Sequence, residues 1–562
     1  MFFNKELKKL ILLYLAFVLG KVILGFFINS PSALGDEYLY SKIARNLFEY
    51  GSSLYHGDVL AHKYLPLYPL LLSVGYFFSN MEVVYFVMKL VNAFLSSVII
   101  FPVYYLARDF LDSRKAFIGA FLVSIFAANF NVFAYLMSEN IFYPLFMLFV
   151  LVVYFAFKTD NKWLFLISGI ILALAYWVRV LALVLIPVVF VVWLFRKTKF
   201  VNLIWHYAFA LICVIPIFFR NVGTYGGSAM AVTGGYGGPL AFMGNFMANP
   251  LGFFNWIALY FAYALIATGF IFGFYFLLGL KVKDKDFRLL YMITGISFIV
   301  NVLVIANQAN GSDLLYNSPF FPLFSNRPIG RYFDMTLSLV LLVGYIAFER
   351  FEFKEKFIKF AIGLSSLILL LGTQLTIAAL YPFNNMTLSL LGVFDLFLEW
   401  LFYGQIFMEF TWLPFIVIAC VLFIIPYTLI LFRNNRNLVF YLGVGFIILT
   451  TVVSFCLISF NAEHYWNGSD QAELGHWFNE NVEGNVLLDE RFVSDKLTKY
   501  TLNEELFNVR NEWSLFGFWV NEEIRVGDPY DVEGYDYLVS MDDNLNYDIL
   551  RREGDFVLYE LK

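Results

Sequence analysis

Apolar runs of roughly twenty residues recur through this chain, and they constrain its fold more than any other feature. A helix needs about 20 apolar residues to cross the hydrocarbon core of a bilayer. With 60% of its 562 residues hydrophobic, the chain offers candidates almost end to end. They fall at 9–28, 83–107, 116–135, 138–157, 163–178, 180–195, 203–219, 256–280, 288–306, 333–349, 357–381, 412–432 and 438–459. The expectation is a polytopic α-helical membrane protein with about 13 transmembrane helices. The runs 163–178 and 180–195 are short and parted by Arg179, which suggests a hairpin turning near one face. The run Leu65–Phe78 is shorter still and suits a re-entrant or interfacial segment.

Lysine and arginine set the direction of threading. With the N-terminus inside, the inside segments (the N-terminus, 108–115, 158–162, 196–199, 281–288, 350–359 and 433–436) hold 21 Lys/Arg. The outside loops of the membrane part hold six: Lys42, Arg45, Lys63, Arg220, Arg327 and Arg331. Cytoplasmic loops carry the basic excess in membrane proteins. The expected location is therefore a cell membrane, multi-pass, with the N-terminus cytoplasmic and the C-terminal part extracytoplasmic. Counting 65–78 as a crossing would invert everything after it and expel Arg108, Arg114 and Lys115.

Charge also divides the chain. From Asn461 onward there are 23 Asp/Glu and 8 Lys/Arg, a balance of −15 within an overall −5, so the preceding part is +10. A domain boundary follows: residues 1–460 form a transmembrane domain with a long first outside loop, 29–82, and residues 461–562 a small soluble extracytoplasmic α/β domain. In that tail Gln471–Glu480 has a helical pattern, while 485–488, 537–539 and 556–559 suit strands. The other long loops, 220–250, 307–331 and 381–411, also fall outside. Elaboration on one face marks that face as the working one.

The first outside loop holds the most suggestive stretch, Gly35-Asp36-Glu37-Tyr38 to Gly51. It reads as an amphipathic helix, with Leu39, Ile43, Leu47 and Phe48 on one side and Gly51 at the C-terminal cap position. Asp36 sits at its start, where a carboxylate also serves as an ordinary N-cap. Ionisable residues at membrane level are expensive and functional by default. Glu139 opens a span after Ser138, Arg179 tips the short hairpin, Arg220-Asn221 ends a span, Arg331-Tyr332 opens another, and Lys63 precedes Leu65-Pro66. Threading brings all five to the outer interface, beside the Asp36–Glu37 pair. Such a set suits an anionic head group, although Arg179 and Arg220 would also snorkel to lipid phosphates. The cysteines (213, 420 and 456) lie in apolar runs, the histidines lack metal-ligand spacing, and the Gly-rich run 223–238 lacks the Gly-Lys-Ser/Thr of a phosphate loop.

Taken together, Asp36-Glu37-x-x-Tyr40 after the first span, Lys63 before a Pro-containing interfacial segment, Ser138-Glu139, Arg220-Asn221 and Arg331-Tyr332 resemble the GT-C class of glycosyltransferases. Protein O-mannosyltransferases and lipid A aminoarabinose transferases are the members most alike. The resemblance implies the GT-C fold: a helical bundle followed by an extracytoplasmic C-terminal domain. It implies Asp36 as the catalytic carboxylate and Glu37 as its companion. It also implies lipid-phosphate contacts from Lys63, Arg220 and Arg331, and an acceptor contact from Glu139; Arg179 and Tyr40 are further candidates for holding acceptor or sugar. The tail lacks the Trp-Trp-Asp-Tyr-Gly of oligosaccharyltransferases, so transfer of a whole glycan to asparagine is not expected.

The implied activity is transfer of a single sugar from a polyprenyl (dolichyl or undecaprenyl) phosphate carrier to a hydroxyl of a protein, lipid or glycan acceptor. Asp36 would act as base in an inverting single displacement, with membrane lipids around the site and no nucleic acid as partner. No cofactor is required by that chemistry; a divalent metal is compatible with it but not indicated. The competing expectation is a multi-span lipid or solute transporter or flippase. That class favours internal repeats and charges at the midplane, whereas the charges here gather at one face.

Overall fold

The computed structural model describes residues 2–32, 36–53, 55–56, 59–60, 64–225, 239–311, 330–375, 385–406, 411–432, 435–493, 514–522 and 524–561. Lys63, most of the Gly-rich run and most of the loop 307–331 lie outside these residues. The chain divides into two compact units. One comprises Met1–Val18, Leu95–Val132 and Glu139–Leu457; the other comprises Leu19–Phe94, Phe133–Ser138 and Ile458–Lys562.

The first unit is the bulk of a helical membrane bundle. Among the described residues of the whole chain, nine helices are long and apolar enough to cross a bilayer, or ten with the bent pair Ser113–Ile125 and Ala127–Ala134. The shorter apolar helices Lys162–Val178, Val180–Arg196 and Trp412–Thr428 account for other expected spans. The 63° bend of the pair falls at Phe126, whose ψ of 131° breaks the helix. The freed Val123 carbonyl accepts the Asn129 side-chain amide at 2.6 Å, the kind of replacement a broken helix needs in lipid. Helix starts carry their own caps: Asp112 accepts from the Arg114 and Lys115 N–H groups, and Asn161 from Trp163. Two glycines mark close helix crossings. A Cβ on Gly169 would collide with the His206 carbonyl, and one on Gly344 with that of Phe272.

One expectation needs correcting. The stretch 381–411, read as an outside loop, contains the apolar helix Met386–Tyr403. Asp395 and Glu399, one turn apart, interrupt its hydropathy in the sequence. The fold buries both on one face, leaving them 5% and 1% exposed.

The second unit is mixed. Helix α1 (Phe2–Gly25) enters it at Leu19. Helix α2 (Asp36–Tyr50) follows, then a small hairpin, β1 (Tyr55–His56) with β2 (Val59–Leu60). The helical stretch Leu67–Phe77 is too short to cross, as expected. The C-terminal part is an α/β sheet of order β4-β3-β5-β7-β6, from β3 (Val486–Asp489), β4 (Ile524–Gly527), β5 (Tyr537–Ser540), β6 (Asp548–Glu553) and β7 (Phe556–Glu560). β3 pairs in parallel with β4 and β5, and β7 antiparallel with β5 and β6. Strand alternation splits its core. Val486, Leu488, Val539 and Leu558 pack under helix Asp470–Asn481 through Leu474 and Phe478, while Leu487, Leu538, Val557 and Tyr559 line the other face.

Candidate active site

The two adjacent carboxylates at the head of α2 have opposite environments. Glu37 is fully buried. It accepts the Ser32 N–H at 2.7 Å, the Ser32 hydroxyl at 2.5 Å and the Leu136 N–H at 2.7 Å. Burial pushes its carboxyl up to about 7, opposed by these donors. Asp36 is half-buried and accepts the Tyr64 hydroxyl at 2.7 Å. Successive residues on a helix are rotated by about 100°, so one carboxylate turns into the core and the other out of it.

Tyrosines extend the frame. The Tyr40 ring meets Tyr64 and Tyr68 edge to face, each with centroids 5.0 Å apart. Its hydroxyl donates to Ser138 at 3.0 Å. Tyr68 donates to Asn92 at 2.9 Å, and Asn92 donates to the Tyr135 carbonyl at 2.9 Å. The segment Phe133–Ser138 is thus tied to α2 at Glu37 and Tyr40 and to helix Met81–Ser97 at Asn92.

The far side of α2 is held by the C-terminal domain. Lys42, 7% exposed, donates to the Val520 carbonyl at 2.6 Å, and Arg45 donates to that of Glu522 at 3.2 Å. Burial draws the Lys42 ammonium well below its ordinary range. A Cβ on Gly517 would stand 2.7 Å from the Tyr38 ring, so glycine leaves the room in which that ring lies against the backbone. The buried face of α2 is therefore Glu37, Tyr40, Ser41, Lys42, Ile43 and Ala44, half of it polar, while Phe48 is 41% exposed. The apolar stripe read from the sequence misses this because α2 packs against polar partners. Gly51 does end the helix, at φ 68°. Lys89, without an evident role in the sequence, donates to the Gly25 and Ile28 carbonyls at 2.8 and 2.6 Å and so caps the end of α1.

In the bundle unit a second polar cluster forms. Arg179 pairs with Glu139, their side chains 13% and 2% exposed. The Arg179 guanidinium lies 4.8 Å from the centre of the Tyr332 ring, and that of Arg331 lies 5.2 Å from it. Tyr143 donates to the Arg331 carbonyl at 2.6 Å, and Asn301 to that of Tyr332 at 3.1 Å. Thr387 donates to Asp334 at 3.2 Å and lies 2.8 Å from the Tyr263 hydroxyl. So Glu139, Arg179 and Arg331 come together, and Arg220 is engaged with Asn221 at 3.2 Å. Asp334, buried to 2%, was missed; its signal was an acid three residues after Arg331, inside a span. Among the described residues no three His, Cys, Asp or Glu side chains come together to hold a metal ion.

Comparison with known proteins follows these features. Residues 66–219 match the family model of dolichyl-phosphate-mannose-protein mannosyltransferases. The fold is similar to ArnT from Cupriavidus metallidurans bound to undecaprenyl phosphate, with a TM-score of 0.54 at 10% identity over 98% of this chain and 97% of that one. The apo form of the same protein gives 0.53 at 11% identity over the same shares. The apo oligosaccharyltransferase of Archaeoglobus fulgidus gives 0.46 at 12% identity over 94% of this chain and 69% of that one. No curated protein matches by sequence. The chain is thus a polytopic helical membrane protein with the GT-C fold and a small C-terminal sheet. In that fold, and in the family model matched by residues 66–219, it resembles the GT-C membrane glycosyltransferases of the mannosyltransferase and ArnT type.

Proposed function

We propose that this protein transfers a single sugar from a polyprenyl-phosphate carrier to a hydroxyl acceptor at the extracytoplasmic face of the membrane. The observation that carries the reading is the contrast at the head of α2. Asp36 is accessible and aligned by Tyr64, on a helix braced on its buried side by Glu37, Tyr40 and Lys42. Pre-organised acids of this kind suit proton transfer in a fixed geometry.

In the reaction the acceptor oxygen forms a bond to the anomeric carbon, the bond from that carbon to the phosphate oxygen breaks, and the phosphate leaves with the electron pair. Asp36 takes the acceptor proton as the new bond forms, and the anomeric configuration inverts. Arg220, Arg331 and Lys63 stabilise the charge growing on the phosphate. Glu139 and Arg179, neutralising each other, serve the sugar or acceptor. Glu37 acts as a positioning residue whose work is to hold α2.

The basic segments 350–359 and 433–436 share one face only if Met386–Tyr403 does not cross. The exposed aromatic end of that helix, Trp400 to Tyr403, suits an interfacial position. On this reading the N-terminus is cytoplasmic and the C-terminal domain extracytoplasmic.

The test is sugar transfer from a panel of polyprenyl-phosphate sugars in membranes, comparing the intact protein with Asp36→Asn. Release of polyprenyl phosphate by the intact protein alone supports both the activity and the base. Transfer that survives the substitution removes Asp36 from the mechanism. No turnover of any donor, with tight lipid binding retained, favours a transporter.

A further inference from the structure

In the bundle unit, polar side chains from three other segments converge on one helical turn. The turn is Gly330–Asp334, at the start of helix Gly330–Arg350, and it carries Arg331 and Tyr332. The N–H groups of a helix's first turn have no partner within the helix. That of Gly330 donates to the Asn385 side-chain oxygen at 3.1 Å, a cap supplied from 55 positions away. Four residues on, the Asp334 carboxyl accepts the Thr387 hydroxyl at 3.2 Å. A threonine hydroxyl carries one hydrogen, so the Tyr263 hydroxyl, 2.8 Å from it, donates in turn to Thr387.

These contacts bracket Arg331. Asn385 holds the residue before it, and Thr387 holds the residue three after it. Tyr143 and Asn301 take the carbonyls of Arg331 and Tyr332. Asn385, Thr387 and Asp334 are buried, as is the whole short turn Met386–Leu388 that carries Thr387. Arg331 and Tyr332 are only half-buried. The turn is thus fixed from its buried side by hydrogen bonds that are costly to leave unmade there, and the two half-buried residues are the ones it presents.

We infer that Asn385 and Thr387 are positioning residues for the donor phosphate, setting the turn from which Arg331 reaches it. The inference rests on the reading that Arg331 meets that phosphate. The phosphate is singled out over sugar and acceptor by the way the two guanidiniums at Tyr332 are held. Arg179 is anchored by its ion pair with Glu139, and neither residue lies on the turn. Arg331 stands on the turn itself, between its two anchors. A loosened turn therefore displaces Arg331 and leaves the Glu139–Arg179 pair in place. Arginine grips a phosphate through a rigid planar fork, so its hold depends on direction as well as distance. A misplacement of about 1 Å is enough to weaken such a contact.

The experiment titrates the full chain in nanodiscs with radiolabelled undecaprenyl phosphate and dolichyl phosphate, after melting profiles confirm that each variant folds. Thr387→Val keeps the shape and removes the hydroxyl, whereas Thr387→Ser keeps the hydroxyl. Asn385→Ala removes the cap alone and takes the place of Thr387→Val if that variant does not fold. The expected result is binding weakened about tenfold by Thr387→Val, as loss of one buried hydrogen bond implies, and largely restored by Thr387→Ser. In an Arg331→Gln background Thr387→Val should weaken binding no further, because its effect runs through Arg331. Turnover should show the same split, with KM for the donor raised and KM for the acceptor unmoved. A purely structural cap would lower the melting temperature and leave lipid-phosphate binding by the folded protein intact, which overturns the inference. Equal weakening with and without Arg331 overturns it too, as does an intact protein that binds neither lipid phosphate. Coupling between Thr387 and Arg331 that persists while no donor turns over defeats the transferase reading and leaves the positioning role standing.

Discussion

Replacing Glu37 by alanine separates its role from that of its neighbour. The substitution leaves the Ser32 and Leu136 N–H groups without their acceptor in a buried setting. Each such orphan costs about 1–3 kcal/mol, so the loss is about 2–6 kcal/mol before any water enters. Part of this is offset, because the intact protein also carries the cost of burying an ionisable carboxyl. Burial raises the folded-state value from 4.5 to about 7, which corresponds to about 3 kcal/mol. The folded value lies above the unfolded one, so the stabilising contribution is complete below about 4.5 and is lost as pH rises through about 7. The gap between intact protein and Glu37→Ala should therefore be widest in acid and shrink by about 3 kcal/mol toward pH 8. Thermal unfolding of the purified protein across that range, with turnover measured on the folded fraction, provides the assay. A variant that melts like the intact protein near about pH 5 but has lost all turnover would refute the positioning role. A gap that widens with pH would refute the electrostatic argument.

Four further outcomes are expected. Asp36→Asn should cut turnover by about 10²–10⁴, the range of a lost general base, with an unchanged melting temperature. A comparable fall in melting temperature would make Asp36 a structural cap. Arg179→Ala takes the ion-pair partner away from the buried Glu139 and should cost about 3–5 kcal/mol. Adding Glu139→Gln should restore much of that loss in a double-mutant cycle, and no coupling would mean that the pair contributes little. Lys42→Met removes the donor to Val520 and should lower stability by about 1–3 kcal/mol. It should also lower kcat, and kcat unmoved would detach the C-terminal domain from the site. Gly169→Ala should abolish expression of folded protein, whereas Gly295→Ala, with nothing within 4 Å of its added carbon, should be neutral; fluorescence-detected gel filtration distinguishes them.

What could be read before the structure follows from the range of the interactions involved. Crossing a bilayer is a local requirement on some twenty consecutive residues, so most spans were legible, as were helix Asp470–Asn481 and strands β3, β5 and β7. The strands β4 and β6 were not, because each carries charge: Arg525 in one, and Asp548, Arg551, Arg552 and Glu553 in the other, all on sheet edges. Met386–Tyr403 was hidden by Asp395 and Glu399, which interrupt its hydropathy and which the fold buries at 5% and 1% exposure. Lys89 shows the same limit from the other side. Its spacing says only that a charge lies in a span, and its use emerges when the end of α1 is brought within 2.8 Å of its ammonium.

The pair Asp36–Glu37 carries this furthest. In sequence the two are interchangeable acids at a helix start, and both suit the dipole there. Their difference is set by what lies a hundred residues away, since Leu136 supplies the N–H that fixes Glu37. That bond draws Phe133–Ser138 onto α2, and Ser138 then takes the Tyr40 hydroxyl, whose ring aligns Tyr64 against Asp36. The buried acid and the accessible one are two ends of one chain of contacts: Glu37 fixes the helix, Tyr40 transmits its position, and Tyr64 orients Asp36. A substitution at Tyr40 should therefore act on the reaction through Asp36. Tyr40→Phe, which keeps the ring and loses the bond to Ser138, should lower kcat while leaving KM for the acceptor unchanged. If KM rises and kcat holds, Tyr40 contacts the substrate directly, and the chain of contacts does not set the base.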